Sequence, residues 1–257
     1  MKTWWNSFKI AFSMYSKVPM PKSDWTKENM RYIMCFFPLI GVIIGGVTWL
    51  WGYWGSQITQ SHTFYSIVLV VIPVVISGGI HLDGLLDTSD ALHSYQPRER
   101  KLEILKDSHA GAFAIITAVI YFLFYLGVYS EMTLKALPVV CIGFVLSRAM
   151  GGFSIAAFPM AKNTGLAATF SDGAQKTCVK IFSLVYVVIC AVLMLAYEPV
   201  IGGCVLIGAA LEYLYYYKMS QKEFGGITGD LAGFHMQVCE LVIAFGAVIG
   251  EKLCGWL

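Results

Sequence analysis

Seven stretches of this chain are apolar for long enough to cross a lipid bilayer, and every other feature has to be read around them. A bilayer core takes about 17 to 25 apolar residues per helix. The segments 33–53, 63–80, 112–129, 136–158, 181–196, 199–217 and 234–250 meet that need. Hydrophobic residues make up 57% of the 257 and charged residues 13%, about half the ~25% of an ordinary soluble domain, so polar side chains cannot cover a water-soluble globule. Soluble and disordered states are excluded. With a formal net charge of only +2, so is a nucleic-acid-binding protein. The expected fold is all-α, a single polytopic membrane domain over residues 1–257 with about seven transmembrane helices.

Charge sets the expected orientation. Fifteen of the eighteen Lys and Arg precede the first span or fall between spans two and three, four and five, or six and seven. The opposite side holds Lys135 and Lys252, and Arg148 lies within the fourth span. The positive-inside rule then puts the N-terminus in the cytoplasm and the C-terminus outside. The Glu198-Pro199 break makes spans five and six a tight hairpin. Within the N-terminal segment 1–31, Trp4, Phe8, Ala11, Phe12 and Tyr15 fall on one helical stripe, with Lys2 and Lys9 off it. That pattern suits an amphipathic helix in the headgroup layer, or equally a loosely held terminus with no role in a site. No cleavable signal peptide is expected, because Lys9, Lys17 and two prolines break the first apolar stretch. Seven cysteines, odd in number and without a CxxC pair, read as small buried hydrophobes.

The polar chemistry collects on the basic side. Between spans two and three runs SGGIHLDGLLDTSDALHSYQPRERKLEILKDSHAGAFA. Asp83, Asp87 and Asp90 are spaced i, i+4 and i+7, so a helix carries them within about 60° of one another. Like charges at i and i+4 repel. Beside a membrane such a row makes sense around a cation, and oxygen donors open to phosphates suit Mg²⁺. Gly78, Gly79 and Gly84 allow close approach of a substrate, or simply helix packing. Arg98, Arg100 and Lys101 read as topogenic charge, whereas Lys106 and Asp107, followed by Ser108, stand nearer the membrane entry. Arg148 either meets a substrate phosphate or pairs with Glu212 or Glu240. Before the last span, Gly225, Gly226, Thr228 and Gly229 form a donor-rich turn, Asp230 stands at a helix start, and Glu240 lies deep in the span. Glycine-rich turns of this kind often meet phosphates. Of the five histidines, none at zinc spacing, His81 beside the first acid is the best candidate for a site.

In order, GGIHLDGLLDTSDAL, LEILKDSHAGAFA, the SR of span four, GGITGD and CELV resemble the cobalamin synthases, the adenosylcobinamide-GDP ribazoletransferases of corrinoid assembly. FKIAFSMYSKVPMP and FFPLIGVIIG extend the likeness over nearly the whole chain. It departs at Ala91 and His109, where glycine and arginine are usual.

The resemblance implies a Mg²⁺-dependent enzyme of a bacterial inner membrane with its site facing the cytoplasm. Adenosylcobinamide-GDP is attacked by the ribose 5′-hydroxyl of α-ribazole, or by a sugar hydroxyl of its 5′-phosphate, and GMP leaves. The catalytic set expected is Asp83, Asp87, Asp90, Lys106 and Asp107, with the three aspartates of the first motif as metal ligands and Asp90 as a proton acceptor. Substrate contacts are expected from His81, Gly84, Ser108, Arg148, Gly225, Gly226, Thr228, Gly229, Asp230 and Glu240. The expected partners are the two substrates and the lipid bilayer, with a homo-oligomer left open. A CDP-alcohol phosphotransferase or a prenyltransferase is the alternative. The first lacks its DxxDGxxAR run here and the second its later aspartate-rich motif, while a transporter would gather polar residues at the midplane.

Overall fold

The structure, a computed structural model, describes residues 2–107, 109–161 and 175–255. Ser108, and Lys162 among the fifteen basic residues counted above, lie outside the described residues. Ten α-helices run in order among the described residues: α1 Lys2–Tyr15, α2 Ile33–Ile58, α3 His62–Ser77, α4 Ile80–His93, α5 Arg98–Ile104, α6 Ala112–Glu131, α7 Leu137–Ala157, α8 Lys176–Tyr197, α9 Pro199–Met219 and α10 Gly229–Cys254. A π-turn at Ser220–Phe224 ends α9.

Six helices (α2, α6, α7, α8, α9 with its π-turn, and α10) are long and apolar enough to cross a membrane, and the bent pair α3–α4 brings the number to seven. Several run past the apolar segments that announced them, since a helix keeps its backbone bonds through the headgroup layer. The expected second span is the exception. Helix α3 stops at Ser77, and the chain turns through 95° into α4. Gly78 and Gly79 make that corner at φ +68° and +79°, the left-handed region that side chains avoid. The apolar arm is α3; α4 carries the acids. At the other tight connection a single residue, Glu198, separates α8 from α9, and Pro199 starts the helix where a missing N–H is harmless.

The centre of the bundle is α7, which is mostly buried and packs against α2, α8 and α10. Glycines set these crossings: a Cβ on Gly41 of α2 would lie 2.3 Å from the Phe144 carbonyl oxygen of α7. By contrast, α6 and α8 leave rows of Ile, Leu, Val and Phe exposed, as lipid-facing helices do. All seven cysteines are free thiols and none is exposed.

Helix α1 is docked rather than loose. Ile10 and Ala11 are fully buried, Trp4 stacks on Tyr32 at 4.4 Å, and Lys17 N donates to Ile76 O at 2.7 Å. Lys9, placed off the apolar stripe by its position, is itself buried, its Nζ directed at Lys22 O.

Candidate functional site

The corner at Gly78–Gly79 puts α4 across the start of α10. Gly84 and Gly233 are the contact: a Cβ on Gly84 would meet Asp230 O at 2.5 Å, and one on Gly233 would meet His81 O at 3.1 Å. Bare backbone on both sides lets the helices touch, and Asp230 joins the acids of α4. Gly84 therefore serves helix packing, one of the two roles open to it. Burial, then the charges of Asp83, Asp230 and Asp90, push the Asp87 carboxyl up to about 7. Four carboxylates thus share one electrostatic neighbourhood. It is wider than a closed coordination shell. Among the described residues, the one trio of His, Cys, Asp or Glu ligand atoms within 4.8 Å of one another is Glu212, His235 and Cys239, deep in the bundle.

Asp90 has a structural task. Its two oxygens accept from Gly111 N at 2.6 Å and Ala114 N at 2.8 Å, which satisfies unpaired donors at the start of α6. Asp83 points to a different duty. With Lys106, Thr228, Gly229 and Asp230 it lines the rim of a cavity of about 400 Å³. The buried wall of that cavity is apolar: Met34, Phe37, Leu102, Leu105, Ile155 and Met236. Helix α1 contributes Met14 and Tyr15. His81 also lines it, 4% exposed, with neither ring nitrogen hydrogen-bonded. Burial and the nearby Arg148 and His235 charges push its imidazole down to about 3, so it is neutral.

The glycine turn differs from a phosphate loop. Gly225 N donates to Gln221 O, Gly226 N to Ser220 O and Ile227 N to Pro159 O, so these donors are committed within the protein. Met160 and Ile227 form a parallel bridge that ties the turn to the end of α7. Gly225 and Gly226 shape the turn; the rim is formed by Thr228, Gly229 and Asp230 at the start of α10, where Thr228 Oγ1 accepts from Leu231 N.

Arg148 and Glu240, both expected among the substrate contacts, lie in the bundle core, where the pairing alternative for Arg148 is met. Both are buried to within 1% of completely, paired at 2.7 Å, and neither lines the cavity. Arg148 also donates to Phe144 O at 2.9 Å. A charge inside a bundle needs a partner, and of the two acids available Arg148 takes Glu240, leaving Glu212 beside His235 at 2.8 Å. Asp107 is exposed and outside the lining; the His109 imidazole and amide beside it hold its carboxyl below the usual range.

Several contributors gave no signal in the sequence. Lys101, which reads as topogenic charge, is buried and paired with Glu223 at 2.5 Å, latching α5 to the π-turn. The guanidinium of Arg98 lies against Gly225, where a Cβ would sit 1.7 Å from it. The cavity's methionines and aromatics sit in apolar runs and look like ordinary core until the helices are assembled.

The family model described as cobalamin-5-phosphate synthase matches residues 7–248. A protein of Lachnoclostridium phytofermentans named adenosylcobinamide-GDP ribazoletransferase is 46% identical over 248 residues, covering 96% of this chain and 95% of that protein. Proteins of the same name from Clostridium botulinum and Desulfitobacterium hafniense are 32% and 30% identical, over 97% and 93% of this chain and 99% and 94% of their own lengths. No solved structure matches.

Proposed function

The chain belongs to the cobalamin-5-phosphate synthase family and is a transferase of cobalamin synthesis; on that premise we propose that it joins adenosylcobinamide-GDP to α-ribazole or its 5′-phosphate at the α4–α10 crossing, with Mg²⁺, releasing GMP. The observation that carries the site is the meeting of Asp83, Asp87 and Asp230 at one end of the bundle, beside a cavity that Asp83 and Asp230 line.

The donor set fits the ion. Burial, together with the repulsion among carboxylates from two helices, holds one proton near neutrality and leaves a site that a hard cation relieves. Their spacing, wider than a closed shell, suits Mg²⁺, which keeps waters and shares phosphate oxygens. Asp83, Asp87 and Asp230 are the proposed ligands, and Asp90 positions α4 through α6. Bound there, Mg²⁺ supplies charge neutralisation at the diphosphate. Lys106, on the rim, faces the same charge.

In the reaction a ribose hydroxyl attacks the phosphorus linked to the cobinamide. That P–O bond forms, the bond to the GMP phosphate breaks, and the hydroxyl proton passes to an acceptor at the rim. Asp83 is better placed for this than Asp90, whose two oxygens already accept backbone N–H groups. The family's product carries a 5-phosphate by name. An acceptor already phosphorylated at the 5′ position has no free 5′-hydroxyl, so one mechanism for both acceptors uses a secondary ribose hydroxyl. This replaces the 5′-hydroxyl attack expected above.

The orientation proposed is N-terminus inside, with seven crossings and α3 as the second. The crossing then faces the cytoplasm of a bacterial inner membrane, on the side with fifteen of the eighteen basic residues. Helix α1 lies in the headgroup layer beside the cavity. The test is to incubate the purified protein with Mg²⁺, adenosylcobinamide-GDP and α-ribazole and to measure GMP and the joined corrinoid. Folded protein that releases no GMP contradicts the assignment.

A further inference from the structure

The cavity has two halves of opposite chemistry. Its rim holds Asp83, Asp230 and Lys106; its buried wall is methionine, aromatic and aliphatic, and His81 is the one polar side chain among the buried lining residues described. The Tyr15 and Phe37 rings lie 6.2 and 5.7 Å from the His81 ring. Both imidazole nitrogens lack partners. A buried polar group left so is costly, and native proteins seldom tolerate it unless a ligand completes the bond.

We propose that the buried half binds the base of the nucleoside acceptor: a flat, apolar, bicyclic heteroaromatic ring whose one free ring nitrogen accepts a hydrogen bond from His81. The inference rests on the ribazoletransferase reading and adds which substrate enters and which end of it goes in first. An imidazole N–H can donate one hydrogen bond, and a glycosylated benzimidazole presents one acceptor nitrogen on an otherwise apolar ring. Methionine side chains wrap such rings without demanding polar partners. Guanine, the base of the other substrate, would bring several donors and acceptors that this wall leaves unpaired. About 400 Å³ accommodates a nucleoside but does not enclose a corrin. With the base inside, the ribose stands at the rim, beside the carboxylates that handle the reacting oxygen. A lipid chain would also fill an apolar cavity, but it would leave His81 without a partner.

Binding of α-ribazole to the purified full chain in detergent, followed by its benzimidazole fluorescence without the corrinoid substrate, tests this. The comparison probe is the matching indole riboside, which has the same shape with C–H in place of the acceptor nitrogen. Wild type binds α-ribazole about tenfold more tightly than the indole riboside. His81→Phe binds both equally, at the weaker affinity, and keeps its affinity for adenosylcobinamide-GDP. Equal binding of the two probes by wild type, no α-ribazole binding at all, or a His81→Phe defect confined to adenosylcobinamide-GDP overturns the proposal. The wild-type comparison decides the matter even if the variant does not fold. Failure of the transferase reading shows separately, as binding of both substrates without GMP release.

Discussion

Gly84 on α4 and Gly233 on α10 meet backbone to backbone, so closely that a Cβ on Gly84 would lie 3.0 Å from the Gly233 Cα and 2.5 Å from the Asp230 carbonyl oxygen. That contact between residues far apart in the chain is what turns a row of three aspartates into a four-carboxylate cluster. Gly84→Ala forces the helices apart against rigid backbone, at about 1–3 kcal/mol in stability. GMP release falls at least tenfold while the protein still inserts in membranes; unchanged activity would mean that the spacing of Asp230 from α4 does not matter.

The Asp87 carboxyl titrates near 7 because of burial and its acidic neighbours, so the fraction ready to receive a divalent ion climbs with pH. Apparent Mg²⁺ affinity is expected to improve roughly tenfold between pH 6 and pH 8, read from the Mg²⁺ dependence of GMP release. An acid with a folded-state pKa above its unfolded value binds more protons when folded. Ionising it therefore costs stability: without metal, this contribution erodes stability as pH rises from about 4 through 7. Asp87→Asn accordingly loses turnover yet melts higher than wild type at pH 8 in chelator. A lower melting temperature there would contradict the repulsion argument.

Asp90 holds Gly111 N and Ala114 N at the start of α6. Asp90→Ala strips both donors of their acceptor and lowers stability by about 1–2 kcal/mol, measured by thermal unfolding in detergent with no divalent ion present. An Asp90→Ala protein as stable as wild type would show that the capping bonds carry no weight.

Arg148 and Glu240 form a buried ion pair in the bundle core. Removing one partner strands the other, so Arg148→Met or Glu240→Gln alone costs about 3–5 kcal/mol, and the double change Arg148→Met with Glu240→Leu recovers most of the loss. If the Arg148→Met protein is instead fully stable but shows a raised KM for adenosylcobinamide-GDP, the arginine contacts substrate.

Spacing alone made part of this site legible. The i, i+4, i+7 order of Asp83, Asp87 and Asp90 required a helix with all three on one face, and α4 is that helix. Span positions followed from hydropathy, although several helices run past their apolar segments and Gly78 and Gly79 cut the second one short. The same glycines were visible beforehand, but nothing local says whether two glycines in an apolar run pack or turn. Partner choice was beyond reach for the same reason: Glu212 and Glu240 both stand within apolar stretches of their helices, and only assembly puts Arg148 against one of them. Asp230 stood out as a helix start, but its place beside Asp87 depends on the Gly84–Gly233 crossing. The cavity was hidden altogether, since Met34, Phe37 and Met236 carry no mark that separates a ligand wall from core.

The most direct measurement of the central claim is Mn²⁺ binding to the purified chain, followed by electron paramagnetic resonance in the presence of a guanosine diphosphate ester. The account predicts bound Mn²⁺ that Mg²⁺ displaces and that is lost in Asp87→Asn and in Asp230→Asn. Binding that survives both substitutions, or no binding in wild type with the nucleotide present, would contradict it.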